Sequence, residues 1–162
     1  MDLPKRKQIR LKDYDYSSNG MYFITICTKN KKHIFGKIVG ATIGRPPEMF
    51  LSQCGEITKY AIENIAAHYP SVSVEKYVIM PNHIHLLLLI DTYTDSGRPM
   101  VAPTISVVIQ QMKGYVSKQV GFSPWQKLFH DHIIRNEKDY EKIWEYIDTN
   151  PARWENDCFY SL

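Results

Sequence analysis

Two β-type apolar runs, residues 73 to 80 and 84 to 90, constrain the fold of this chain more than any other feature. They are separated by Pro81 and Asn82, a turn signal, and therefore predict two neighbouring strands. His83 directly precedes the second run, which begins with Ile84 and His85. Because side chains alternate along a strand, both imidazoles should point to one face and Ile84 to the other.

The other elements follow from periodicity and turn signals. Residues 21 to 28 predict a strand after the Asn19-Gly20 turn, and residues 36 to 52 a hairpin or long loop. Residues 53 to 68 and 104 to 120 predict amphipathic helices, and Asn136 with Asp139 resembles the cap of a third. This order indicates an α+β fold, a ferredoxin-like or RRM-like antiparallel sheet covered on one face by two helices, with an added C-terminal helical segment.

Composition fits one folded domain. The chain has 162 residues, of which 44% are hydrophobic and 23% charged, which argues against a disordered or multidomain protein. Its longest apolar run is far shorter than the roughly 20 residues of a membrane span, so we expect a soluble cytoplasmic protein without membrane contact. Three widely spaced cysteines predict neither a disulfide framework nor a thiolate zinc site. We expect a basic arm at 1–20, a core at 21–122 and an extension of the same domain at 123–162.

Basic residues are concentrated near the N-terminus, although the formal net charge is only +3. Four of them are suited to phosphate contacts: Lys5, Arg6, Lys7 and Arg10. Further along, Arg135 and Asn136 carry donors that could read base edges. A solvated tail and a helix-capping Asn136 are the structural alternatives.

The second predicted helix places a polar group on its apolar face. At 100° per residue from Met112, Gln119 falls at about −20°, within the face that should pack on the sheet, and Tyr115 at about −60°, on its margin. A buried amide needs a partner, and one candidate is a metal held by His83 and His85 with Gln119 as third ligand. The alternatives are histidines with local hydrogen bonds, a boundary tyrosine, and a glutamine bonded to a loop carbonyl.

A second His-x-His pair, His130 and His132, repeats the same spacing around Asp131. Unlike the first pair, this pair does not begin a long apolar strand, and no helix with a Tyr-x-x-x-Gln pattern accompanies it. We therefore interpret it as structural or DNA-facing.

Three strings carry a family resemblance: YVIMPNHIHLLLLI, TISVVIQQMKGYVSKQVG and FHDHIIRNEKDYEKIWEYIDTNPARW. Together they resemble the single-tyrosine HUH transposases, and specifically the REP-associated tyrosine transposases, over residues 20 to 159. The resemblance implies that His83 and His85 form the HUH motif, that Tyr115 is the nucleophile, and that Gln119 is the third metal ligand.

The resemblance also implies a reaction. A divalent metal, Mg²⁺ or Mn²⁺, would assist Tyr115 in forming a 5′-phosphotyrosine bond with single-stranded DNA that carries a hairpin. The released 3′ hydroxyl would later attack that bond, so no ATP is needed. The enzyme would act as a monomer or a homodimer, with Tyr115 serving its own histidine pair or that of a second subunit.

Two other functions remain open at the level of sequence. A noncatalytic RRM-like nucleic-acid-binding module would also combine an antiparallel sheet with aromatic and basic residues, but we find no RNP aromatic signature. A metal-dependent phosphodiesterase that uses water would not require Tyr115. A covalent protein–DNA adduct separates that reaction from transposition.

Overall fold

The computed structural model describes residues 11–40, 44–93 and 101–161. Its strands are β1 (Gly20–Cys27), β2 (Gly36–Val39), β3 (Glu48–Leu51), β4 (Val72–Met80), β5 (His83–Ile90) and β6 (His130–Ile134). Its α-helices are α1 (Gln53–Glu63), α2 (Ile65–His68), α3 (Ile105–Val120) and α4 (Glu137–Thr149), and Lys29–Lys31 and Pro151–Asn156 form 3-10 helices. Within those ranges, no helix combines the length and apolarity that crossing a bilayer requires.

The main sheet has the strand order β4-β5-β1-β6, and every neighbouring pair is antiparallel. Only Pro81 and Asn82 separate β4 from β5, as the two apolar runs predict. The strands β2 and β3 form a separate hairpin within residues 36 to 52. Because β5 and β1 are the two inner strands, the histidine pair lies on an inner strand, at the end where β5 begins.

The two faces of β5 pack against different helices. Ile84, Leu86 and Leu88 belong to the larger core, which also contains residues of α1 and α3. Leu87 points the other way and packs against Ile143 and Ile147 of α4. Helices α1 and α3 therefore cover one face and α4 the other, which confirms the predicted α+β fold with an added C-terminal helical segment.

Side-chain caps fix where the helices begin. Ser52 Oγ accepts a hydrogen bond from Gly55 N, Thr104 Oγ1 from Val107 N, and Asn136 Oδ1 from Asp139 N. The third of these matches the predicted cap. Helix α3 ends at Gly121, whose φ of +82° is a left-handed conformation that glycine adopts without strain.

The two glycines within the described helices differ in how closely other parts of the chain pack against them. A Cβ added at Gly55 would lie 2.1 Å from the carbonyl oxygen of Phe35, so this position holds α1 tightly against the chain before β2. A Cβ at Gly114 in α3 would meet nothing within 4 Å outside its own helical backbone, among the residues described. Of these two helical glycines, packing requires Gly55 and not Gly114.

Candidate active site

The two histidines of β5 form a buried pair. His83 is 0% exposed and His85 1%, and their Nε2 atoms lie 3.1 Å apart. Both side chains project to the α4 side of the sheet, as strand alternation predicts. Two imidazole nitrogens that face each other at this distance need either a shared proton or a cation between them.

Hydrogen bonds on the outer nitrogens orient both rings. His83 Nδ1 lies 2.8 Å from Asn82 Oδ1, and His85 Nδ1 lies 2.8 Å from Thr25 Oγ1 on β1. Asn82 Nδ2 donates to Phe159 O, which leaves Oδ1 as the acceptor for a proton on His83 Nδ1. The Nε2 atom of His83 therefore presents a lone pair to the site.

Burial keeps this pair uncharged. Loss of hydration lowers the pKa of His83 to about 4, although the Asp157 carboxylate opposes the shift. Burial also lowers the pKa of His85 well below its ordinary value, and the nearby His83 adds to that effect. Neutral imidazoles are the form that binds metal ions.

Asp157 of the C-terminal segment reaches the histidine pair, and Asn150 of the same segment is bonded to Asp157. Asp157 Oδ2 lies 3.8 Å from His83 Nε2, and the Asp157 side chain is only 1% exposed. Asn150 Nδ2 donates to Asp157 Oδ2 at 2.9 Å. The 3-10 helix Pro151–Asn156 joins the two residues and brings both back to the sheet.

These residues fit a divalent metal ion. Single ligand atoms of His83, His85 and Asp157 all lie within 4.8 Å of one another. Asn150 Oδ1 is buried and has no hydrogen-bond partner within the described chain, although its amide nitrogen is satisfied. An orphaned buried carbonyl is costly, and a cation would relieve that cost. Two imidazole nitrogens with a carboxylate and an amide oxygen can bind several divalent metals.

Tyr146 of α4 is the tyrosine beside this group. Its ring meets the His85 ring edge to face, with centroids 5.1 Å apart. Burial, with a smaller effect of the Asp157 charge, raises the pKa of Tyr146 to about 12. The ring of Phe159 lies 4.6 Å from the ring of His83 and covers the same side.

The structure places Tyr115 and Gln119 away from the histidines, which corrects the expectation from the helical arithmetic. Tyr115 is 38% exposed, and its ring packs 5.9 Å from that of Tyr60 on α1, on the opposite face of the sheet. Gln119 is exposed, because burial along α3 ends at Val116. The arithmetic gives a direction around the helix axis but cannot tell which sheet face the helix covers.

Of the predicted DNA-binding residues, the structure describes Arg135 and Asn136 and does not bring them to this site. Arg135 and Asn136 are exposed between β6 and α4, and the Asn136 side-chain oxygen caps α4. The other four, Lys5, Arg6, Lys7 and Arg10, lie outside the described residues. A DNA-binding role for all six stays a prediction.

The second histidine pair does not form a comparable site. His130 is exposed, and His132 Nε2 lies 2.8 Å from Asp139 Oδ2 on the surface. The contact with Asp139 agrees with a structural role for His132, and a DNA-facing role of the pair stays a prediction.

Sequence reasoning missed Tyr146, Asn150 and Asp157. A signal for two of them exists, because Tyr146 and Asn150 stand four residues apart, the same spacing as Tyr115 and Gln119. The string EYIDTN therefore offers a tyrosine and an amide on one helical face.

Known proteins resemble this chain in sequence and in fold. It is 36% identical over 173 residues to an uncharacterized protein of Haemophilus influenzae, in a match that covers 96% of this chain and 93% of that protein. It is 22% identical over 139 residues to a REP-associated tyrosine transposase of Escherichia coli, covering 85% of this chain and 70% of the relative. No family model matches the chain.

A solved structure of a REP-associated tyrosine transposase bound to a REP hairpin shares the fold. The TM-score is 0.63 at 20% sequence identity, and the match covers 88% of this chain and 74% of that one.

Proposed function

Because the chain belongs to the family of REP-associated tyrosine transposases, we propose that it cleaves and rejoins single-stranded DNA beside a hairpin. The nucleophile in this proposal is Tyr146, and the product is a 5′-phosphotyrosine bond. The observation that carries the proposal is the contact between the Tyr146 and His85 rings, next to a group of residues suited to a metal. The related transposase in complex with a REP hairpin supports DNA as the partner.

His83, His85, Asp157 and Asn150 would hold the metal. Bound there, a Mg²⁺ or Mn²⁺ ion would offset negative charge on the scissile phosphate and lower the barrier to in-line attack. Asn82 and Thr25 would keep the histidine rings turned toward it. The mixed nitrogen and oxygen donors favour Mn²⁺ over Mg²⁺, because Mg²⁺ prefers oxygen ligands.

The proposed reaction is a phosphoryl transfer from a DNA 3′ oxygen to the Tyr146 hydroxyl. Tyr146 Oη forms a bond to phosphorus, the bond from phosphorus to the 3′ oxygen breaks, and the phenolic proton leaves Tyr146. The 3′ oxygen gains a proton and becomes a free hydroxyl. Rejoining reverses the step with a 3′ hydroxyl as the attacking group, so the bond energy is conserved.

The phenolic proton must be removed, because a tyrosine with a pKa of about 12 is protonated at neutral pH. The Asp157 carboxylate lies close enough to influence that pKa and is the group best suited to accept the proton. Positive charge in the site would lower the pKa of Tyr146 and favour the phenolate.

The covered sheet argues against the RRM-like alternative. An RRM-like module stacks bases on an exposed sheet face. Here α1 and α3 cover one face, while α4 packs on Leu87 of the other.

Cleavage of a labelled DNA hairpin that carries an unpaired single-stranded segment at the base of its stem tests the proposal. With Mn²⁺ present, the wild type should cut one strand and release the upstream fragment with a free 3′ hydroxyl. The downstream fragment, joined to the protein through its 5′ phosphate, should stay on the protein in a denaturing gel. Tyr146→Phe should lose both products by at least about 1,000-fold, because the only oxygen that can attack is gone. Tyr115→Phe is the matched control and should cleave at the wild-type rate.

Two results would contradict the proposal. Normal adduct formation by Tyr146→Phe would exclude this nucleophile, and loss of the adduct in Tyr115→Phe would return the role to Tyr115. Metal-dependent cleavage without any adduct would indicate a phosphodiesterase that uses water.

A further inference from the structure

A lysine-rich groove lies between the Lys29–Lys31 turn and the loop after α3. It consists of two neighbouring cavities with volumes of about 660 and 250 Å³. Lys29, Asn30 and Ser123 line both cavities, and Lys127 and Lys32 extend the lining at either side. Of the described residues that line them, none is acidic. We call this surface the lysine groove.

The walls of the lysine groove are held together by main-chain hydrogen bonds. Lys29 N donates to Pro124 O at 2.7 Å, and Gln126 N donates to Cys27 O at 2.9 Å. The turn itself is constrained, because Asn30 and Lys31 have φ values of 57° and 53°. Left-handed conformations are uncommon for residues other than glycine and often occur at functional sites.

The groove presents charge and one exposed aromatic ring. Lys29, Lys32 and Lys127 are exposed, whereas Lys113 is half-buried and donates to the Gln126 carbonyl at 2.7 Å. Phe122 lines the smaller cavity and is 53% exposed. Cations that track phosphates, combined with a ring that can stack on a base, are the features of a surface for single-stranded nucleic acid.

One residue connects the groove to the histidine pair. Asn82 Nδ2 donates to Lys31 O at 3.3 Å, while Asn82 Oδ1 bonds to His83 Nδ1 at 2.8 Å. Asn82 O also accepts from Thr28 N, directly before the turn. The buried residue Asn82 therefore fixes the turn that forms one wall of the groove to the candidate active site.

We propose that the lysine groove binds the backbone of the unpaired DNA strand and that Phe122 stacks on one of its bases. This inference rests on the proposed function, because it supplies the path by which an unpaired strand would approach Tyr146. It names Lys29, Lys32 and Lys127 as the phosphate-binding residues.

Binding without cleavage tests the groove. The triple variant Lys29→Ala/Lys32→Ala/Lys127→Ala would be compared with wild type by fluorescence anisotropy in EDTA. The probe is an oligothymidine of about 12 nucleotides, which is within the length that such surfaces cover. The control variant Lys118→Ala/Lys138→Ala/Lys142→Ala removes the same charge from three other exposed lysines.

We expect the groove variant to bind the oligothymidine at least about tenfold more weakly. The slope of log K against log salt concentration should become shallower by about 2, since each phosphate contact on a single strand contributes about 0.7. The control should stay within about twofold of wild type. Phe122→Leu should lose at least about fivefold with an unchanged salt slope, because it removes stacking and no charge.

Three outcomes would overturn the inference. An equal loss in the control would mean that net charge matters and the groove does not. An equal loss on a blunt-ended DNA hairpin would assign the groove to duplex DNA. Unchanged binding by Phe122→Leu would exclude the stacking contact. The proposed function fails separately, when the wild type forms no covalent adduct.

Discussion

We predict that Mn²⁺ bound at His83 and His85 raises the free energy of unfolding of the chain. The structure supplies three ligand groups within 4.8 Å of one another and an orphaned Asn150 oxygen, so the folded state has a site that the unfolded chain lacks. At a metal concentration 100 times the dissociation constant, stabilisation is about 2.7 kcal/mol. For a chain of this length, 1 kcal/mol corresponds to about 2 to 4 °C, so the melting temperature should rise by about 5 to 10 °C.

The assay is a calorimetric melt of each variant with Mn²⁺ and with EDTA. The double variant His83→Ala/His85→Ala should show no rise between the two conditions, whatever its own stability. His130→Ala/His132→Ala removes the same motif from the surface strand and should keep the full rise. An equal rise in both double variants, or a rise lost only from the second, would refute the assignment of the site.

Three further predictions concern the histidines and the glycines. With EDTA present, the free energy of unfolding should fall as pH drops from about 6.5 toward 4. The fall should reach up to about 1.4 kcal/mol per pH unit for each histidine, because the unfolded chain binds protons that buried His83 and His85 do not. A urea titration across that range checks it, and a His83→Gln variant with an equally steep dependence would contradict it. Thr25→Val removes the hydrogen bond to His85 Nδ1 and should weaken Mn²⁺ affinity by about tenfold in a calorimetric titration. Unchanged affinity would mean that this hydrogen bond does not orient the His85 ring. Gly55→Ala should lower the free energy of unfolding by about 2 kcal/mol in a urea titration, because the added Cβ meets a backbone carbonyl. Gly114→Ala should instead raise it by up to about 1 kcal/mol. Equal effects of the two changes would contradict this difference in packing.

The sheet and its helices could be predicted because their patterns are local. Alternation along residues 83 to 90 correctly puts the two histidines on one face, and Asn136 correctly marks the start of α4. Both features depend on residues a few positions apart, where the geometry of a strand or a helix cap leaves little choice.

The composition of the site could not be predicted in the same way. Both faces of β5 are apolar, with Leu86 on one and Leu87 on the other, so the pattern does not reveal which helix covers the histidines. Asp157 lies more than 70 residues along the chain from His83, and its place depends on the turn after Asn150. Tertiary packing decides both points. The sequence therefore favours Tyr115, whereas the structure places Tyr146 beside the histidines.

Mapping the covalent adduct is the most direct test of the central claim that Tyr146 is the nucleophile. Wild-type protein would be incubated with Mn²⁺ and single-stranded hairpin DNA, digested with nuclease and protease, and analysed by tandem mass spectrometry. We predict that the residual nucleotide lies on Tyr146, on a peptide that vanishes in Tyr146→Phe. A nucleotide on Tyr115 would contradict the account, because that ring lies on the other face of the sheet.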